Sequence, residues 1–157
     1  MDFSLTVDQE LLVESIQEFA DRYFDEETVS AMYENHGIPD EIGEAYRDAG
    51  FAFMGLPEEC GGIPCDKLTL GLVTETLYHA TGCMTPFMTA MLATADVAEF
   101  GTPEQVSLVV DQYNKSGKPI ASLALSEPGA GSDNKAMSTY TKRQADGTYI
   151  MNGQKTW

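Results

Sequence analysis

The stretch LALSEPGAGSDN, residues 123–134, decides how this sequence is read. Leu123, Ala124 and Leu125 run into Ser126-Glu127-Pro128, and Gly129-Ala130-Gly131-Ser132-Asp133 follows. An apolar strand meeting closely spaced glycines resembles the start of a dinucleotide fingerprint. That fingerprint also needs a third glycine, an immediate helix and a second parallel strand. Position 134 is Asn, and the residues beyond it pattern as strand, turn, strand. A P-loop fails as well, because no Gly-Lys-Ser/Thr is present. Two readings remain. One is a tight β-turn with Asp133 and Asn134 capping it. The other is a ligand loop. In it Pro128 fixes one φ angle, and Gly129 and Gly131 open backbone conformations closed to other residues. Successive N–H groups converge on an anion, and Ser126 and Ser132 add hydroxyls.

Around this stretch the chain changes character. Asn114-Lys115-Ser116-Gly117-Lys118-Pro119 is a turn-rich boundary. Beyond it, short strands are expected at 120–125, 138–141 and 149–151. Ala145-Asp146-Gly147 separates the last two, and Asn152-Gly153 signals a hairpin. Only Gln154 to Trp157 follow, which would leave a strand edge unpaired, so the chain reads as ending inside a larger β domain.

Upstream the period is helical. Thr6 and Gln9 have the spacing of a capping box, and Val7, Leu11, Leu12, Ile16, Phe19, Ala20 and Tyr23 mark one face to about Phe24. Pro39 opens a second helix carrying Ile42, Ala45, Tyr46 and Ala49, with Gly50 as its stop. Residues 51–57 are apolar and expected to be extended, and 58–66 form a loop. A third helix carries Leu70, Val73, Leu77 and Tyr78 and ends at Gly82. A fourth runs from Pro86 to about Phe100, with Phe87, Met91, Leu92, Ala95 and Phe100 on its apolar face. A fifth starts with Thr102 as N-cap and Pro103 at the first helical position, and turns Val106, Val109, Val110 and Tyr113 inward. The expected fold is therefore mainly α: a bundle of about five helices (1–117) followed by the first strands of an incomplete β domain (118–157).

Composition narrows the function. Nine basic and 25 acidic residues among 157 give a net charge of −16, which repels nucleic acid and anionic lipid. The N-terminus has no basic segment followed by an apolar one, and no apolar run approaches the roughly 20 residues of a membrane span. A cytoplasmic protein with no nucleic-acid or membrane role is expected. Cys60, Cys65 and Cys83 fit free thiols in a reducing compartment; Cys60-x4-Cys65 is too loose for a zinc half-site, and no metal is expected.

Four segments, in order, resemble the acyl-CoA dehydrogenase family of flavoproteins. LALSEPGAGSD (123–133) is close to A-x-[ST]-E-P-x-A-G-S-D, and NGQKTW (152–157) to N-G-x-K-x-[WF]. LPEECGG (56–62) is similar to P-E-x-x-G-G, and GTPEQ (101–105) to G-[ST]-x-E-Q. The resemblance spans essentially the whole chain. It implies an N-terminal helical domain, a middle β domain that begins here, and a C-terminal helical domain outside this sequence. It implies FAD as cofactor and removal of two hydrogens from Cα and Cβ of an acyl-CoA substrate. It also implies an electron-transfer partner such as an electron transfer flavoprotein, and a homo-oligomer at full length.

By position in these motifs, the resemblance places Leu125 and Ser126 at the pyrimidine edge of the flavin. It places Ser132 near the cofactor or CoA phosphates, Leu123 at an often aromatic position beside the flavin, and Trp157 beside the isoalloxazine, with Gly131 also among the cofactor-binding residues. Trp157 also reads as an ordinary buried strand aromatic. The family's catalytic carboxylate lies downstream, so no catalytic residue is assigned. Glu127 reads as structural, Glu58 and Glu59 as solvated. As it stands the chain is expected to turn over no acyl-CoA. The rival readings are a relative acting on other CoA thioesters or as a reductase, a non-enzymatic helical module that binds a protein partner, and a naturally shortened, degenerate protein.

Overall fold

The computed structural model describes residues 4–82, 86–118 and 120–157. The chain divides into two compact units, before and after the Ser122–Leu123 bond. The first is helical: α1 (Val7–Tyr23), α2 (Glu26–Asn35), α3 (Asp40–Asp48), α4 (Lys67–Thr81), α5 (Pro86–Phe100) and α6 (Pro103–Ser116). The second holds a single antiparallel hairpin, β1 (Tyr140–Arg143) with β2 (Tyr149–Asn152). The mainly α fold expected from the sequence is what the structure has.

Helix boundaries follow local chemistry. The Thr6 hydroxyl accepts from Gln9 N–H at 3.2 Å while the Gln9 side chain accepts from Thr6 N–H at 3.0 Å. Thr102 and Gln105 repeat the arrangement at α6. These reciprocal bonds satisfy N–H groups that a helix start leaves unpaired. Gly82 and Gly117 end α4 and α6 in left-handed geometry, which a residue with a Cβ adopts only under strain.

The sequence reading omitted α2. Its N-cap is Asp25, whose carboxylate accepts from Thr28 N–H at 2.8 Å, and Met32 is its buried anchor. One anchor in ten residues leaves almost no apolar stripe to detect. Residues 51–57 also differ from expectation. They are a 3₁₀ turn over Phe51–Phe53 followed by one bridge from Met54 to Ile63. Phe51, Ala52, Phe53, Met54 and Leu56 are all buried. An extended strand would point alternate side chains to opposite faces, whereas the turn brings four successive ones inside.

The core is aromatic. Phe19 meets Tyr23, Phe24, Tyr46 and Phe51, with ring centroids 4.9–6.1 Å apart. Tyr46 stacks on Phe87 at 3.9 Å and an interplanar angle of 7°. Phe53 meets Tyr113 at 5.3 Å. Of the residues assigned to inward faces, Val7, Leu11, Ala49, Leu92 and Phe100 are exposed instead, all near helix ends or at the margin of the apolar stripe. The Tyr46 hydroxyl is buried with no hydrogen-bond partner among the described residues, and burial pushes its pKa up.

The end of α6 is sutured to α3. Arg47 Nη1 donates to the Asn114 carbonyl at 2.9 Å, one of the last-turn carbonyls that have no partner within the helix. Lys118 pairs with Asp40 at 2.6 Å. Between them Gly43 and Gly117 touch backbone to backbone: a Cβ on Gly43 would sit 2.5 Å from the Gly117 carbonyl oxygen.

In the second unit, β1 pairs with β2 in the register Tyr140↔Asn152 to Arg143↔Tyr149. The turn lies at 144–148. There Gln144 N–H donates to the Thr148 carbonyl at 2.8 Å, Gly147 adopts φ 87°, and Asp146 accepts from the Thr148 N–H and hydroxyl. Two expectations are corrected. Asn152-Gly153 is not a hairpin turn: Asn152 is the last residue of β2, and Gly153 is where the backbone passes Thr139 too closely for any Cβ. Residues 120–125 form no strand, because β1 and β2 pair only with each other among the described residues.

Three substitutions test this packing. Gly43→Ala should destabilise the protein by about 1–3 kcal/mol, since neither backbone at the contact can yield. Gly71→Ala in α4, where a Cβ meets nothing within 4 Å, should instead stabilise by about 0.5–1 kcal/mol. Tyr46→Phe removes an unpaired buried hydroxyl and should raise stability by about 1 kcal/mol. Urea unfolding monitored by circular dichroism measures all three.

Candidate functional site

The 123–134 stretch is built on a tight turn. Ala130 N–H donates to the Glu127 carbonyl at 3.1 Å, and Glu127 N–H returns a bond to the Ala130 carbonyl at 2.8 Å. Pro128 and Gly129 are the two central residues, and Pro128 presets the first φ of such a turn. Neither Gly129 nor Gly131 has a positive φ, so their expected use of backbone conformations closed to other residues does not occur. A Cβ at either position would meet nothing within 4 Å, so neighbouring atoms do not require glycine at either one. Asp133 caps the following 3₁₀ turn, accepting from Lys135 N–H at 3.2 Å.

The Glu127 side chain turns inward and is only 3% exposed. Oε2 accepts from Ser138 N–H at 2.7 Å and from the Ser138 hydroxyl at 2.9 Å. Oε1 accepts from Thr139 N–H at 2.9 Å and from Lys155 Nζ at 3.0 Å. The Ser138 N–H, then Thr139 and Lys155, hold its carboxyl far below the usual carboxylate range. Glu127 is therefore an ionised structural anchor at ordinary pH.

Lys155 does more than neutralise Glu127. Its ammonium also donates to the Leu125 carbonyl at 2.9 Å. Next to it, Thr156 N–H donates to the Ser126 carbonyl at 2.9 Å. The stretches 125–127 and 155–156 are thus stitched together, and both carbonyls of Leu125 and Ser126 are occupied. The Ser126 N–H and hydroxyl have no partner among the described residues. The edge left open at 125–126 offers donors and a hydroxyl, not carbonyls.

Each residue singled out from the sequence can be placed. Ser126 is half-buried; Leu123, Leu125, Gly131 and Ser132 are exposed. Trp157, the last residue of this sequence, is fully exposed. The stitching brings the Leu125–Ser126 edge against Lys155–Thr156, beside Trp157 in sequence. Lys155 was not singled out, although its place in N-G-x-K was visible. Glu58 and Glu59 are exposed on a 3₁₀ turn. Cys60 and Cys65 are free thiols, and Cys83 lies outside the described residues. No group of three metal-ligating side chains forms among the described residues, and no helix of the described residues is long and apolar enough to cross a membrane.

Comparison with known proteins bears on what such an edge holds. The family model for the acyl-CoA dehydrogenase N-terminal domain matches residues 6–113. The probable acyl-CoA dehydrogenase YdiO of Escherichia coli (strain K12) is 40% identical over 160 residues, covering 100% of this chain and 40% of that protein. A chain in the structure of the electron transferring flavoprotein of Acidaminococcus fermentans superposes with a TM-score of 0.74 at 29% identity, over 99% of this chain and 40% of its own. The FAD complex of PigA superposes at 0.78 and 26% identity, over 99% and 41%. The present chain thus spans about 40% of the length of these relatives.

The buried carboxylate makes a local pH prediction. A carboxyl whose pKa is lowered on folding stabilises the fold above its unfolded value, here 4.5, and that stabilisation is lost as pH falls through the folded pKa. Protection of the Ser138 and Thr139 amides against hydrogen exchange should therefore hold from neutral pH to about 4.5 and decline steadily below it. In Glu127→Gln, protection should already be reduced at neutral pH and lose that dependence.

Proposed function

The chain belongs to the acyl-CoA dehydrogenase family, and on that premise we propose that it supplies the N-terminal part of a flavin enzyme that α,β-desaturates acyl-CoA thioesters. Residues 1–117 form the N-terminal helical domain and 118–157 open the middle β domain. FAD is the cofactor, a reading supported by the FAD complex among the similar structures. FAD, when bound, accepts the hydride from Cβ.

The observation that carries the reading is the donor edge at 125–126. A flavin presents acceptors at N1 and O2 of its pyrimidine edge, and they gain negative charge on reduction. The Ser126 N–H and hydroxyl are suited to that edge, and the neighbouring carbonyls that would oppose it are occupied by Lys155 and Thr156. Leu123, Leu125 and Trp157 offer exposed apolar surface for a planar ring system. Gly131 and Ser132 offer open backbone and a hydroxyl toward a phosphate. Removal of the α proton is assigned to no residue of this chain.

The partners proposed with this role are an acyl-CoA substrate and an electron-transfer protein such as an electron transfer flavoprotein. Further copies of the chain in a homo-oligomer complete the set. A cytoplasmic setting goes with them.

The test is anaerobic mixing of the full product of the gene with a panel of acyl-CoA thioesters. Bleaching of bound flavin with formation of the 2-enoyl-CoA, read by absorbance and mass spectrometry, is the expected result. A flavin-loaded protein that no acyl-CoA bleaches would overturn the dehydrogenase reading. Turnover by residues 1–157 alone would overturn the assignment of the base outside this chain.

A further inference from the structure

The Leu125 carbonyl and the Ser126 N–H belong to one peptide group, and Lys155 holds the carbonyl end of it. We infer that Lys155, kept in place by Glu127, is a positioning and tuning residue that polarises the Leu125–Ser126 peptide and so strengthens the Ser126 N–H as a donor to the bound cofactor. The inference rests on the flavin reading above.

Three observations carry it. First, Lys155 Nζ lies 2.9 Å from the Leu125 carbonyl oxygen, 3.0 Å from Glu127 Oε1 and 3.6 Å from Met137 Sδ, so the ammonium is fixed by three acceptors at once. Second, Glu127 cannot follow the lysine if it moves, because Ser138 and Thr139 hold it through three further bonds. The carboxylate anchors the ammonium, and the ammonium in turn pulls on the carbonyl. Third, the Ser126 N–H has no partner among the described residues, so the polarisation is available to a ligand. An amide whose carbonyl accepts a charge-assisted bond becomes a stronger N–H donor, since hydrogen bonds in a chain reinforce one another. A donor strengthened in this way favours the ligand form with more negative charge on the facing acceptor. For a flavin that is the reduced form.

The consequence separates this role from a structural one. Loss of a purely structural lysine would weaken oxidised and reduced flavin equally and leave the reduction potential unchanged. Loss of a tuning lysine should weaken the reduced form selectively. In the full product of the gene, Lys155→Met is expected to lower the affinity for reduced relative to oxidised flavin about tenfold. For a two-electron couple that is about 30 mV toward more negative potential. Lys155→Arg, which keeps a charged donor, should restore most of the shift. Dye-equilibration potentiometry measures it.

A second measurement needs neither variant nor flavin. Leu-Ser occurs once in the chain, so ¹³C-carbonyl leucine with ¹⁵N serine labels this peptide group alone within it. A Ser126 amide proton shifted downfield, with a deshielded Leu125 carbonyl, is expected. An unchanged potential in flavin-loaded Lys155→Met, or an unshifted Ser126 amide in the wild type, overturns the inference and leaves the flavin reading standing. Failure of the wild type to take up any FAD overturns the flavin reading, and this inference with it.

Discussion

A carboxylate almost wholly excluded from water either gathers donors or takes up a proton, and Glu127 has gathered four. The donors come from two places far apart in sequence, Ser138–Thr139 just before β1 and Lys155 just after β2. Every residue of β1 and β2 is exposed among the described residues. Polar bonds to one buried anion tie the segments on either side of the hairpin to the 125–127 stretch. Geometry is the more demanding requirement here, because a buried ion with even one unsatisfied lone pair is costly. That demand explains Gly153, whose missing Cβ lets the chain pass Thr139 on its way to Lys155.

The two units also differ in charge. Residues 123–157 contain three of the 25 acidic residues and four of the nine basic ones, leaving 22 acidic against five basic in the remainder. The strongly negative total therefore belongs to the helical unit. A ligand bearing phosphates, as FAD and CoA do, meets long-range repulsion from that unit and almost none from the second. The stretch with open backbone and unpaired hydroxyls lies in the near-neutral part, where an anion can approach it without a basic side chain at the site.

Most of the helical unit was legible because its signals are local. Capping pairs such as Thr6–Gln9 and Thr102–Gln105, stops such as Gly82 and Gly117, and stripes such as Val106, Val110 and Tyr113 each sit within a few residues of what they determine. The failures have a common cause in tertiary context. Helix α2 has a cap but only Met32 to anchor it. Residues 51–57 are as apolar as a strand, yet the surrounding helices bury all sides of them, and a turn satisfies that better than a pleat. Asn152-Gly153 has the composition of a hairpin turn, but its glycine answers a steric need set by Thr139, fourteen residues upstream in β1's approach. No local window contains that information.

The site shows the same limit more sharply. Local composition could offer a β-turn or a ligand loop at 126–133, and the structure makes these compatible. The turn is real, closed by reciprocal Glu127–Ala130 bonds, and neither Gly129 nor Gly131 takes a positive φ in it. What gives the loop a ligand-facing polarity is Lys155, thirty residues from the carbonyl it occupies. The Leu125 and Ser126 carbonyls accept from Lys155 and Thr156, while the Ser126 N–H has no partner among the described residues. Exposed Leu123 and Leu125 beside that edge favour a ligand that is flat and largely apolar. On the proposed reading, N1 and O2 of a flavin would be the acceptors facing the Ser126 N–H, beside the exposed Leu123 and Leu125.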